Sequence, residues 1–354
     1  MRREPHAPMS GIKQHYIPQV LLRRFSKYSD RKSAPLWAYS RERGVYQTNS
    51  RDLAAEREFY SPVQSGEVTL DDQITSYENR LAALLAAVSP TRDNGPIDGT
   101  AAAEIIVHLS VRTAHIRDIF QRVGVEAVAA VGSLFLNAEY SRKALGLDGS
   151  RDGKLQIAIR DRIAKQFPQM NERDRLKLEA DLMQKARESL PALFAAQQPA
   201  ILAALGDLNG KMAEASREGH VKALNNSFVP EKRLDHLAKL RWVTLNGRFV
   251  LPDCVTVALR PSGSLPYLMA DWDEMDAVYM PISSSKILLG TREPSAAIQD
   301  LDFNKASSLC AGSFFVAQER DATWDTLRSN IGTVSSQTIE GHLKEASAEL
   351  QNKT

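Results

Sequence analysis

Helical spacing fills almost everything between about residues 100 and 229, and at Leu240 the pattern turns extended. That switch constrains the fold more than any other feature. Apolar side chains at every third or fourth position make one buried helical stripe, whereas strict alternation makes a half-buried strand. Residues 240–245 and 248–251 flank Asn246-Gly247, a pair that tolerates the positive φ of a type I′ turn, so they predict a hairpin. Further strands are predicted over 254–259, 267–270, 277–281 and 286–290, then a short helix over 301–309 and a last strand over 312–317. Near the other end, Leu36-Trp37-Ala38-Tyr39 and Val45-Tyr46-Gln47 read as two strands joined across Gly44. Two strands alone are marginal, so they are expected to join the C-terminal sheet.

The predicted class is α+β: N-terminal and C-terminal strands forming an antiparallel or mixed sheet, with a large helical insertion between them. The regions are 1–65 (a motif helix and strands, behind a loose lead-in over about the first 13 residues), 66–229 (helical), 230–330 (β-rich) and 331–354, a polar tail read as weak helix or disorder. Breaks in the helical region are predicted at Gly124, 146–153, Pro168, Pro191 and Gly210.

Composition then removes function classes. The 354 residues carry 45 basic and 43 acidic side chains, a net charge of +2, so any nucleic-acid contact must come from a local patch. The 2 cysteines, Cys254 and Cys310, lack C-x-x-C spacing, which disfavours a disulfide framework or a thiolate zinc site and fits a reducing, cytoplasmic setting. Apolar runs such as Ala82 to Val88 fall short of a membrane span, and no apolar signal core follows Met1, so no membrane partner is expected. Dinucleotide, P-loop, zinc-protease and nucleophile-elbow motifs are absent, and no cofactor or metal is predicted.

Three constellations carry possible chemistry. His15-Tyr16-x-Pro18-Gln19, with Arg23 a turn later, sets an imidazole before a short helix whose buried side is Leu21, Leu22 and Phe25. There it either acts as a base or anion contact, or simply caps the helix while Tyr16 packs. Glu104, His108, Arg112 and His115 fall within about 80° of one another on one apolar helix. They form either an acid, base and cation wall, with Arg112 gripping phosphate or carboxylate, or an internal ion-pair network. Asp253, directly after a strand, is either a site carboxylate or a turn former, and Glu56 and Glu78 are further carboxylates.

The order of these segments resembles the bacterial family of unknown function DUF4238. The resemblance rests on a Q-H-Y-x-P opening (Gln14 to Phe25), an aromatic strand (Trp37 to Tyr39), a Glu-x-x-Phe-Tyr segment (Glu56 to Tyr60) and Tyr77-Glu78 on a helix. It continues with Arg112, Thr113 and Arg117, then Leu251 to Cys254, Pro281 to Ser283 and Asn304. Pro252 and Cys254 depart from the family's usual Ser and Asn beside the aspartate. The resemblance implies no established activity, but it draws attention to the same residues. The function expected is a hydrolase acting on phosphodiesters of nucleic acid. His15, Arg112 and Asp253 or Glu56 would be catalytic, and Tyr16, Gln19, Arg23, His108, His115 and Arg117 would bind. The alternatives are a non-catalytic module binding nucleic acid, nucleotide or protein, and a purely structural stripe.

Overall fold

The computed structural model describes residues 13–60, 70–144, 147, 153–227, 229–293 and 301–352. All but Lys13 of the expected lead-in, and most of the break expected over 146–153, lie outside the described residues. The chain forms two compact units: one from residues 1–120 and 216–338, the other from 121–215 and 339–354.

The first unit is α+β. Strands β1 (Lys13–His15), β2 (Pro35–Ser40), β3 (Gly44–Asn49) and β4 (Ala55–Arg57) come from its N-terminal part, with a one-turn helix α1 (Gln19–Leu22) between β1 and β2. Helices α2 (Leu70–Val88) and α3 (Gly99–Val111) follow, and α4 (Ala114–Leu136) leads into the second unit. That unit holds α5 (Ala138–Ala144), α6 (Lys154–Gln166) and most of α7 (Glu172–Asn226). The chain returns through α8 (Glu231–Ala238), β5 (Arg241–Asn246), β6 (Leu251–Pro252), β7 (Val257–Arg260), β8 (Gly263–Pro266), β9 (Ala277–Ser283) and β10 (Lys286–Thr291). It ends with α9 (Phe303–Cys310), β11 (Phe314–Ala317), α10 (Ala322–Leu327) and α11 (Thr333–Asn352).

The strands near Trp37 do join C-terminal strands, in a four-stranded antiparallel sheet of order β3-β2-β11-β6. Alternation explains the fit: Leu36 and Ala38 of β2 and Phe314 and Val316 of β11 enter the main core, while Tyr39 and Phe315 stack on the other face at 4.9 Å. A second sheet has the order β5-β10-β9-β7-β8, and β1 pairs β4. In the second sheet β9 is buried on both faces, with Val278, Met280 and Ile282 in the main core and Ala277 and Tyr279 in a smaller one against α9.

Several expectations are corrected. Asn246-Gly247 does not close a hairpin, because β5 spends its ladder bonds on β10 and the chain then crosses to the other sheet as β6. Gly247 and Phe249 donate instead to Ser285 and Ser284 carbonyls, at 3.1 and 2.9 Å. The strand expected over 267–270 is a 3-10 turn, Tyr267–Met269. The break at Pro168 holds, since α6 ends at Gln166, but α4 runs through Gly124 and α7 runs through Pro191, Pro199 and Gly210. At Gly124 a β-carbon would lie 2.6 Å from the Met212 sulfur, so helix packing exploits the missing side chain. The polar stretch after 331 is helical as α11. Among the described helices, α7 is long and apolar enough to cross a membrane, judged by length and composition.

Candidate functional site

The stripe of four polar residues divides at the junction of α3 and α4. Asp98 caps α3 by accepting from the Ala101 N–H at 2.8 Å, and the helix stops at Val111 with Arg112 as its C-cap. Glu104, His108 and Arg112 stay on one face. Thr113 then intervenes and His115 belongs to α4, so it leaves the predicted stripe. The two halves face different neighbours.

Arg112 is 1% exposed and sits at the centre of the first cluster. Nε donates to the Tyr60 hydroxyl (3.2 Å), one terminal nitrogen to His108 Nε2 (3.1 Å), and the other to the His15 carbonyl (2.9 Å) and Glu78 Oε1 (2.8 Å). The guanidinium has only donors, so His108 Nε2 accepts and the ring proton sits on Nδ1. Burial, then the charge of Arg112, hold His108 well below the usual histidine range. The His108 ring packs on Tyr77 at 4.1 Å, and Tyr77 and Arg80 both donate to Glu104. Tyr60 links this cluster to β1: its hydroxyl donates to the His15 carbonyl, and its backbone N–H to Gln14 Oε1 at 2.6 Å. The predicted pattern of an acid, base and cation is present, but the cation is enclosed by its partners.

His15 therefore meets Arg112 through its carbonyl and not its ring. The ring Nε2 lies 3.0 Å from the Arg51 carbonyl, and burial lowers its pKa. His15 is also not at a helix start, since it ends β1 and α1 begins at Gln19. Gln19 is half-buried, and Arg23 lines a groove of about 550 Å³ with Val20, Arg24, Ser29, Asp30 and Ser283.

The second cluster surrounds Tyr16. Its phenol feels the charges of Asp253, Glu56, Asp118 and Arg117, and burial, the largest cause, pushes its pKa far up, so it stays protonated. The Tyr16 ring packs on Phe59 at 5.2 Å, and the Arg117 guanidinium lies 4.5 Å from the centre of the Phe59 ring. One nitrogen of Arg117 donates to both oxygens of Glu56, at 2.8 and 2.9 Å. His220 meets the edge of Phe59 and contacts the Val111 carbonyl at 2.8 Å, closing the far side.

Asp253 is buried in a row of backbone donors. Oδ1 accepts from Gly312 N–H (2.7 Å), and Oδ2 from Ser313 and Phe314 N–H (2.6 and 3.2 Å). Burial outweighs these bonds and raises its pKa to about 6. His115 is the nearby imidazole. A β-carbon at Gly312 would collide with His115 Nδ1 and lie 3.6 Å from Asp253 Oδ2, so the glycine keeps open the space that ring and carboxylate share.

The structure thus gathers Tyr16, Glu56, Arg117, His115 and Asp253, and sets His15, His108 and Arg112 in the adjoining cluster. The pairing expected between His15 and Asp253 or Glu56 is replaced: Asp253 shares its space with His115, and Glu56 holds Arg117. Tyr60, Phe59, His220, Asp71 and Gly312 were not singled out from the sequence. Asp71, 8% exposed and raised to about 6 by burial, lies in reach of the Arg112 charge. Only the Glu-x-x-Phe-Tyr segment signalled any of these residues. Among the described residues no group of three or more His, Cys, Asp or Glu side chains is placed to hold a metal ion.

Fold and site together define an α+β protein whose buried polar centre is built from β1, β4, the α3–α4 junction and the β6–β11 edge. The chain belongs to DUF4238, a family of proteins of unknown function whose model matches residues 13–305. No curated protein and no solved structure matches it.

Proposed function

We propose that the Tyr16 cluster is a hydrolytic site for phosphodiester bonds of nucleic acid. One observation carries this reading: four segments far apart in sequence, around Tyr16, Glu56, His115 to Arg117 and Asp253, bring a neutral phenol, two carboxylates, an imidazole and an arginine together. Arg117 is the phosphate contact. Its counter-ion Glu56 has a side chain 43% exposed, so an incoming phosphate can replace it at low cost. His115 takes the proton of the attacking water and returns it to the leaving oxygen, and the Asp253 charge favours the protonated ring midway. Tyr16 donates to the developing charge on phosphorus oxygens. Arg112 does not touch substrate in this scheme; it locks β1 to α3 and so positions Tyr16.

The test is cleavage of single-stranded RNA, single-stranded DNA and duplex DNA by the purified chain. Wild type is expected to cleave at least one. His115→Asn and Arg117→Ala are expected to lower the rate by roughly 100-fold or more, with melting temperature nearly unchanged. Intact substrates after prolonged incubation with micromolar wild type would end the catalytic reading. A second reading is favoured by the partly exposed ion pair of Arg117 with Glu56, which an incoming phosphate can replace without any chemistry following. Under it the site binds nucleic acid without turnover, with affinity that falls steeply as salt rises.

A further inference from the structure

Among the described residues, the helix long and apolar enough to cross a membrane is α7, most of which lies in the second unit. Residues 189–206 of α7, SLPALFAAQQPAILAALG, contain no Asp, Glu, Lys or Arg, and charges resume on both sides at Glu188 and Asp207. As helix these 18 residues are about 27 Å long, close to the roughly 30 Å of a bilayer's hydrocarbon core. A core helix of that composition would be covered by protein. Here only 6% of the most apolar 18-residue window is buried.

The distribution around the axis says what kind of partner fits. Leu193 and Leu202 are 57% and 50% exposed, and nine residues at 100° each place them about 180° apart. Leu208, 46% exposed, falls between them. A docking protein, or a second copy of this chain, would be met by a single apolar stripe. Apolar groups on opposite sides call for an apolar medium that surrounds the helix.

The neighbouring helix has matching properties. Residues 127–138 of α4 and its continuation are also free of charge, and Val131 is 40% exposed. The two helices run antiparallel, since Gly124 meets Met212 and Gly132 meets Leu205, with a virtual β-carbon 2.6 and 2.7 Å from those side chains. Close approach through glycine is how helices pack where burial from water supplies no drive between them. Pro191 and Pro199, unusual inside a water-exposed helix, are common in membrane helices.

We infer that the α4–α7 pair inserts into a lipid bilayer, with residues 189–206 in the hydrocarbon. The attraction is apolar, so high salt leaves it in place.

The full chain is floated with vesicles of phosphatidylcholine and phosphatidylglycerol, 3:1, with and without 1 M NaCl. Wild type is expected to float in both. The double variant Leu193→Asp with Leu202→Asp is expected to lower vesicle partitioning at least tenfold, because an aspartate is strongly disfavoured in hydrocarbon. Both leucines are half-exposed, and unchanged helical circular dichroism shows that the variant is folded. In Gln198→Trp, the added tryptophan should be quenched by brominated acyl chains. Wild type that stays with the free protein, or a double variant that floats equally well, overturns the inference. So does a concentration-dependent dimer abolished by the double variant without vesicle binding, which would make a second copy the partner.

Discussion

The two units treat their side chains in opposite ways. The first encloses Arg112, its largest fully buried side chain, and gives it four hydrogen-bond partners. The second leaves Leu176, Leu193, Leu202 and Leu208 about half in solvent, and its Arg160 side chain, bonded to Glu179, is 51% exposed. Burial of a charge costs several kcal/mol unless every donor is met, so the first unit can hold Arg112 only by fixing β1, α2 and α3 around it. Exposed leucine costs little in a single chain, but a concentration of it needs a partner. One unit is organised around an internal polar frame and the other around an outward apolar surface.

The largest effect should come from Arg112→Ala. It strands Glu78, Tyr60, His108 and the His15 carbonyl, and is expected to cost about 3–5 kcal/mol and lower Tm by roughly 10 °C. A loss under about 1 kcal/mol in denaturant titration would show that the frame is not what holds the first unit.

The next effect is a pH dependence. Asp253 titrates near 6 when folded and near 3.9 when unfolded, so the folded state binds more protons between these values. Its contribution is therefore greatest below pH 4, falls as pH rises to about 6, and is flat above. Asp71 adds the same sign. His15, His108 and His220 add the opposite one, because burial lowers their pKa and stability falls as pH drops below 6.5. Comparison with Asp253→Asn isolates the first: the Tm advantage of wild type should narrow from pH 4 to pH 6. A gap that widens over that range reverses the assignment.

The smallest effect should be Arg160→Ala in the second unit. Gln156 still donates to Glu179 at 2.7 Å, and the arginine is half-exposed, so about 1 kcal/mol or less is expected. If chemical denaturation found Arg160→Ala as damaging as Arg112→Ala, the contrast between the units would be lost.

Much of this was readable from sequence where local periodicity or turn chemistry decides. The β2–β3 strands, the short helix α9, β11 and the membership of β2 in a C-terminal sheet followed from local patterning and marginal strand number. The Asn246-Gly247 turn misled because strand β5 found a better ladder in β10, a long-range pairing that no dipeptide encodes. The apolar run at 189–206 is masked in the sequence by Pro191, Gln197, Gln198 and Pro199, which interrupt it although none of them carries charge.

The site divides along the same line. Sequence alone determined which polar residues sit on apolar elements and so must find partners: Arg112 and His108 on α3, and Asp253 after a strand. Only the tertiary structure decided who those partners are. The break at Arg112 and Thr113, between α3 and α4, turned His115 away from Arg112 and toward Asp253, and Gly312 left the room for them to meet. Spacing along a helix fixes direction only while the helix continues; past its end, packing of distant segments sets the neighbours, because burial in a low-dielectric interior leaves each polar group few affordable positions.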